Sequence, residues 1–207
     1  MNKNRTETRA KELYELLESI SAYVEEPVQM YALGGTALTI LGIKPSTLDI
    51  DINIHSKKQY EYICKLFKQI GFKQESPLRW ITQEGLALDV FYGSNILGTH
   101  LLEDCLTTAQ RIRTFGNITL YTLSPYDIII SKLARGDERD FIDIRHLLDK
   151  EKINIQLLVQ RFKKTMEQSV VAQYKQKLLD LIEIKFKRWN IPTDNNQLEE
   201  VKQWEET

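Results

Sequence analysis

Apolar residues return every three or four positions over residues 6–25, where Leu13, Leu16, Leu17, Ile20 and Tyr23 share one side and Glu25-Glu26-Pro27 ends the run. That spacing predicts an amphipathic helix. A short apolar run at 30–33 then meets Gly34-Gly35, and 36–41 returns to helical spacing as far as Gly42. A strand, a tight glycine turn and a helix are expected. Residues 48–54 alternate without a break, the period of a strand. Leu48, Ile50, Ile52 and Ile54 take the buried side, and Asp49, Asp51 and Asn53 the other. Residues 57–70 suit a helix closed by Gly71. Strands are predicted at 79–82 and 86–92 around Gln83-Glu84-Gly85, a hairpin pattern, and again at 118–123.

From Ser124 onward the pattern is helical. Ser124-Pro125 reads as an N-cap followed by proline at the first helical position. That helix should end near Gly136, and Asp137 can cap another reaching about residue 148. Two longer helices follow at 155–166 and 170–189, the last with a stripe of Tyr174, Leu178, Leu181, Ile182 and Trp189. The order predicts an α+β fold: a mixed sheet flanked by helices over 1–123, a helical lobe over 124–190, and a loosely docked polar tail over 191–207.

Composition narrows the function. The chain has 207 residues, 42% hydrophobic and 28% charged, with a formal net charge of -1. These values suit an ordinary soluble protein and argue against a dedicated polyanion binder. One stretch departs from the average: between Lys150 and Asn190, ten Lys or Arg face four acids, a surplus of six positive charges. Such a tract could seat tRNA, or it could be the solvated side of amphipathic helices. No apolar run approaches the roughly 18 residues that cross a membrane. The opening MNKNRTETRA lacks the apolar stretch of a secretory signal, so a cytoplasmic location is expected. Cys64 and Cys105 have no CxxC spacing and only three histidines occur, which excludes the usual zinc frameworks and gives no disulfide scaffold.

The chemistry concentrates on three places. Asp49 and Asp51 stand two apart and point to one face, where two carboxylates repel unless a cation lies between them. Magnesium takes hard oxygen ligands and commonly combines carboxylates with substrate phosphates; alternatively, the acids simply form the wet face of an amphipathic strand. Gly34-Gly35 lies between a strand and a helix, where backbone amides can approach a phosphate, and Thr36 adds a hydroxyl. A turn that needs only a positive backbone dihedral is the alternative, common for one glycine and less so for an adjacent pair. Asp89 sits between Ala87 and Phe91 on an otherwise apolar strand face and needs a partner, either a metal or a basic side chain.

Together, Gly34-Gly35-Thr36, Asp49-Ile50-Asp51 and Asp89 resemble the nucleotidyltransferase superfamily related to DNA polymerase beta. The segment YALGGTALTILGIKPSTLDIDI looks like the bacterial branch that includes AbiEii-type abortive-infection toxins. In that branch a helical motif carries a lysine, an Arg-Asp pair and a further acid, and LSPYDIIISKLARGDERDFIDIRHLL is similar to it through Lys132, Arg139, Asp140 and Asp143. The resemblance covers about residues 28–150. It implies a nucleotidyltransferase-type fold and transfer of a nucleoside monophosphate from a nucleoside triphosphate, with release of pyrophosphate. Two magnesium ions would be held by Asp49, Asp51 and Asp89, the last also accepting the nucleophile's proton. Gly34, Gly35 and Thr36 would hold the phosphates, Lys132 would offset their charge, and Asp140 would orient Lys132 or a substrate group. The acceptor classes it leaves open are RNA or tRNA, protein and small molecules, and a toxin or phage-defence role would bring a protein antitoxin as partner. Other readings are a non-catalytic nucleotide-binding partner or sensor, an antibiotic-modifying nucleotidyltransferase, and a magnesium hydrolase.

Overall fold

Strand alternation becomes sheet register in the computed structural model, which describes residues 7–96 and 98–205. The strands are β1 Val28–Ala32, β2 Ile50–Ile54, β3 Lys73–Gln74, β4 Arg79–Ile81, β5 Ala87–Tyr92, β6 Asn95–Ile96, β7 Thr99–His100, β8 Gln110–Phe115 and β9 Ile118–Thr122. The helices are α1 Ala10–Ser21, α2 Gly34–Ile40, α3 Lys57–Gln69, α4 Pro125–Arg135, α5 Glu138–Lys150, α6 Ile155–Met166, α7 Tyr174–Leu179 and α8 Asn195–Gln203. The predicted start of the first helix, residue 6, lies outside the described residues, as does most of the opening segment read for a signal. The chain divides into two units, one running to Gly93 and including Leu106–Ser124, the other Ser94–Cys105 with Pro125 onward.

In the first unit, seven strands among the described residues form one sheet in the order β3-β4-β5-β2-β1-β9-β8. The pairs β2–β5 and β1–β9 are parallel and the remaining neighbours antiparallel, so the sheet is mixed. The apolar set of β2, with Leu88 and Val90 of β5, meets Leu13, Leu17 and Ile20 of α1 and Ile63 and Phe67 of α3 around a cavity of about 10 Å³. Each such buried side chain contributes about 1.5–3 kcal/mol, enough to fix which face β2 turns outward. The strand begins only at Ile50, and Leu48, expected in the core, is 44% exposed. Asn53, expected on the wet face, is fully buried, and its Nδ2 donates to the Gly93 carbonyl at 3.1 Å. Strand β8 escaped the pattern because Gln110, Arg111, Arg113 and Thr114 are not core residues: it is an edge strand, where charge discourages further pairing.

The second unit holds α4 to α8, the two-stranded β6–β7 pair and a 3₁₀ turn at Glu103–Cys105. Helix α4 begins at Pro125, and Asp137 caps α5 in a box with Asp140, as the sequence pattern indicates. The helix expected over 170–189 starts late, because Gln173 adopts a left-handed φ of 55°, and passes into a π-helical segment at Asp180–Phe186. The tail does not dock loosely. Helix α8 buries Val201, and Trp204 beyond it packs its ring 5.0 Å from that of Tyr174 and 6.4 Å from that of Phe162. Scattered apolar residues in a polar stretch hid this packing. Among the described residues no helix is long and apolar enough to cross a membrane.

Candidate active site

Sheet register brings the first-unit acids together. Asp51 of β2 lies opposite Asp89 of β5, and Asp89 in turn lies opposite Arg79 of β4. Directly paired residues present their side chains on the same face, so Asp51, Asp89 and Arg79 form a row across three neighbouring strands. Asp49 precedes β2 and joins the row from its end. The Arg79 Nε donates to Asp89 Oδ1 at 2.8 Å and its Nη2 to Asp89 Oδ2 at 2.5 Å. The same Nη2 reaches Asp49 Oδ1 at 3.2 Å. The side chains of Asp49, Arg79 and Asp89 are 24%, 25% and 17% exposed, so water reaches the cluster. The hydrogen bonds to Asp89, opposed by burial and aided by the charges of Asp89, Asp49 and Asp51, hold the Arg79 guanidinium above its ordinary pKa.

The glycine turn packs against this row. Gly34 has φ +49°, a left-handed conformation, and a Cβ placed there would lie 3.1 Å from Asp51 Oδ2. At Gly35 the added Cβ would lie 2.7 Å from Thr47 Oγ1. Both glycines are therefore explained by close approach to the acidic segment. Thr36, expected to meet a phosphate, directs its buried hydroxyl elsewhere: it donates to the Asp49 carbonyl at 3.2 Å and accepts the Asp51 N–H at 2.8 Å. Thr47 adds a second hydroxyl donor to the Asp49 carbonyl at 3.0 Å, and Leu33 N–H donates to the Asp51 carbonyl at 3.0 Å. The D-x-D backbone is thus gripped from both sides.

Carboxylate oxygens in this number and chemistry fit magnesium. Among the described residues, however, no three His, Cys, Asp or Glu side chains stand together ready to hold a metal. The guanidinium lies between Asp49 and Asp89, where a cation would compensate them.

Lys132 and Asp140 belong to the second unit. Lys132 is 3% exposed and donates from Nζ to Asp143 Oδ2 at 2.6 Å, with Asp140 Oδ1 at 3.5 Å. Asp140, completely buried, also accepts from Arg135 and from the Asp137 N–H at 3.2 Å. Burial pushes against ionisation of Asp140, but the Arg135 hydrogen bond, the charges of Arg135 and Lys132 and the Asp137 amide outweigh it and lower its pKa. Arg139 is exposed. The geometry shows Lys132 tying α4 to α5; its role at a triphosphate is carried by the resemblance alone.

Arg79 was missed in the sequence, although a signal for it existed. A hairpin turn centred on Glu84 pairs residue 79 with residue 89, so the expected strands already set an arginine opposite Asp89. The basic tract reads differently too. Arg161 pairs with Asp127 and Asp104, Lys163 with Glu200 and Lys185 with Glu138, while Lys175 and Lys177 donate to the carbonyls of Lys202 and Ala134. Arg161, Lys163, Lys175, Lys177 and Lys185 thus find partners within their own unit.

A search of curated proteins finds no match to the chain. Among solved structures, it is similar to an antigenic nucleotidyltransferase-like protein from Paracoccidioides brasiliensis, with 17% identity and a TM-score of 0.55 over 94% of this chain and 95% of that one. The lincomycin-bound lincosamide antibiotic adenylyltransferase LnuA shares 18% identity, with a TM-score of 0.49 over 69% of this chain and 98% of its own. A profile described as "Nucleotidyltransferase of unknown function (DUF6036)" matches residues 10–191, so the chain belongs to that nucleotidyltransferase family.

Proposed function

We propose that this protein transfers a nucleoside monophosphate from a nucleoside triphosphate to an acceptor hydroxyl in a magnesium-dependent reaction. The observation that carries the reading is the register of β2 and β5, which sets Asp51 directly beside Asp89, next to Asp49 and a double-glycine bend. Asp49, Asp51 and Asp89 would hold the metal, which when bound offsets charge on the phosphates and on the entering and leaving oxygens. The acceptor oxygen forms a bond to the α-phosphorus, and the bond from that phosphorus to the bridging oxygen breaks. Pyrophosphate leaves with the electron pair. Asp89 accepts the proton of the attacking hydroxyl. Gly34 and Gly35, lacking side chains, keep the acids accessible to the phosphates, and Thr36 and Thr47 hold the backbone that carries Asp49 and Asp51. Catalysis rests on positioning and charge stabilisation.

One observation favours a second reading, a non-catalytic nucleotide-binding protein: Arg79 already pairs with two of the three acids. Incubation with α-³²P-labelled nucleoside triphosphates, magnesium and fractionated cell extract separates the two. Transfer predicts label on an RNA, protein or small-molecule product, lost in Asp49→Asn/Asp51→Asn. Bound but unconsumed nucleotide supports the second reading.

A further inference from the structure

We propose that Arg79 is a built-in counter-ion that competes with the divalent cation for Asp49 and Asp89 and, once displaced, pairs with the phosphates of the incoming nucleoside triphosphate. The proposal rests on the transferase reading, because it requires that these acids bind a cation.

Placement is the first argument. Arg79 is fixed opposite Asp89 by the β4–β5 register, and its main chain is held further by Ser76, whose Oγ accepts the Arg79 N–H at 3.0 Å, and by the Glu75 N–H, which donates to the Arg79 carbonyl at 2.9 Å. Its side chain is 25% exposed, so water reaches the guanidinium. Geometry is the second. The guanidinium grips Asp89 through two nitrogens and leans on Asp49 through one of them, the fork-like contact that suits carboxylates and phosphates alike. Charge is the third. The side chains of Asp49, Asp51, Asp89 and Arg79 together carry two formal negative charges. The arginine limits the repulsion among neighbouring carboxylates. A free divalent ion must break the bidentate pair to enter. A metal–nucleotide complex brings cationic charge for the acids and phosphate oxygens for the arginine at the same moment, so both partners are exchanged rather than lost. Metal and nucleotide binding are therefore coupled, each strengthening the other.

The test uses the full chain and two titrations. Manganese, as a paramagnetic stand-in for magnesium, is titrated without nucleotide while the electron paramagnetic resonance signal of the free ion is followed. A non-hydrolysable α,β-methylene ATP analogue is then titrated at saturating manganese. In Arg79→Gln, manganese alone should bind on the order of ten-fold tighter and the analogue on the order of ten-fold weaker, the size of one charge-assisted hydrogen bond. Arg79→Lys, which keeps the charge and loses the fork, should fall between wild type and Arg79→Gln in both titrations. The proposal is overturned if folded Arg79→Gln binds manganese no more tightly than wild type, or if it keeps wild-type affinity for the analogue. Should Arg79→Gln not fold, Arg79→Lys decides, and wild-type values in either titration overturn the idea. Asp51→Asn separates this failure from a deeper one. If manganese binding depends on Asp51 but not on Arg79, only the counter-ion is lost. If no variant, wild type included, binds manganese through Asp51, the transferase reading falls and takes the counter-ion with it.

Discussion

Two groups of charged side chains in this protein follow opposite rules. In the second unit, Lys132 and Arg135 face Asp140 and Asp143, Arg135 also reaches Asp137, and Lys132, Asp140 and Asp143 are 8% exposed or less. In the first unit, Asp49, Asp51 and Asp89 lie around the guanidinium of Arg79, and Asp49, Arg79 and Asp89 are 17–25% exposed. A buried network whose charges pair with one another is how a fold tolerates charge in its interior. An excess of one sign, kept within reach of water and held on a rigid strand pair, is how a protein keeps a place for a ligand of the other sign. On the proposed function, the first group serves architecture and the second chemistry.

The largest effect should come from breaking the buried network. Lys132→Met leaves Asp143 buried without its 2.6 Å donor, and removing one member of such a pair costs about 3–5 kcal/mol. Thermal or urea unfolding measures it. Adding Asp143→Leu removes the stranded charge and should recover part of the loss. An unchanged melting temperature in Lys132→Met would erase the contrast between the groups. The double variant also sharpens it, because a folded protein that has lost nucleotide affinity would place Lys132 at the triphosphate as the resemblance implies. The pH dependence follows from the lowered pKa of Asp140. Its stabilisation is fully present above the ordinary carboxylate pKa of about 4 and is lost as pH falls through the lower native value. Unfolding titrations between neutral and strongly acid pH should show that decline in wild type and a smaller one in Asp140→Asn.

Much of this was legible in the chain. The spacing of Ile50, Ile52 and Ile54 and the helical spacing of Leu13, Leu17 and Ile20 locate the sheet and its cover, because each of these sets is buried. The D-x-D and the glycine pair stand close together in sequence, and so they were readable as a motif. The rest depends on partners far apart. Thr36 looked like a phosphate ligand because a hydroxyl beside glycines gives no hint that a strand fifteen residues away takes both of its hydrogen bonds. Arg79 was one basic residue among 28, and only pairing two strands around their turn sets it opposite Asp89. Nothing in the composition of residues 94–105 marks them as belonging with the helices of the second unit.

A middle-sized effect tests how the acids are positioned. Thr36→Val keeps the shape and removes the hydroxyl, leaving the Asp51 N–H without its acceptor at 2.8 Å. An unsatisfied group of this kind costs about 1–3 kcal/mol, so stability and nucleotidyl transfer should both fall. A hydroxyl that touched only phosphate would weaken nucleotide binding and leave the melting temperature where it was. That outcome would return Thr36 to the ligand and loosen the account of how the D-x-D is held.

The smallest effect separates backbone strain from crowding of the acids. Gly34 and Gly85 both have positive φ, +49° and +86°, but an added Cβ meets Asp51 Oδ2 at 3.1 Å in the first case and nothing within 4 Å in the second. Alanine in the left-handed region costs roughly 1–2 kcal/mol whatever lies around it. Gly85→Ala should therefore lower the melting temperature and leave transfer per folded molecule unchanged. Gly34→Ala should carry a similar stability cost and also depress transfer, because its methyl group presses on one of the carboxylates. Equal activity in the two variants would mean that Asp51 yields without consequence. The unbalanced acid cluster would then be no more exacting about its surroundings than an ordinary turn.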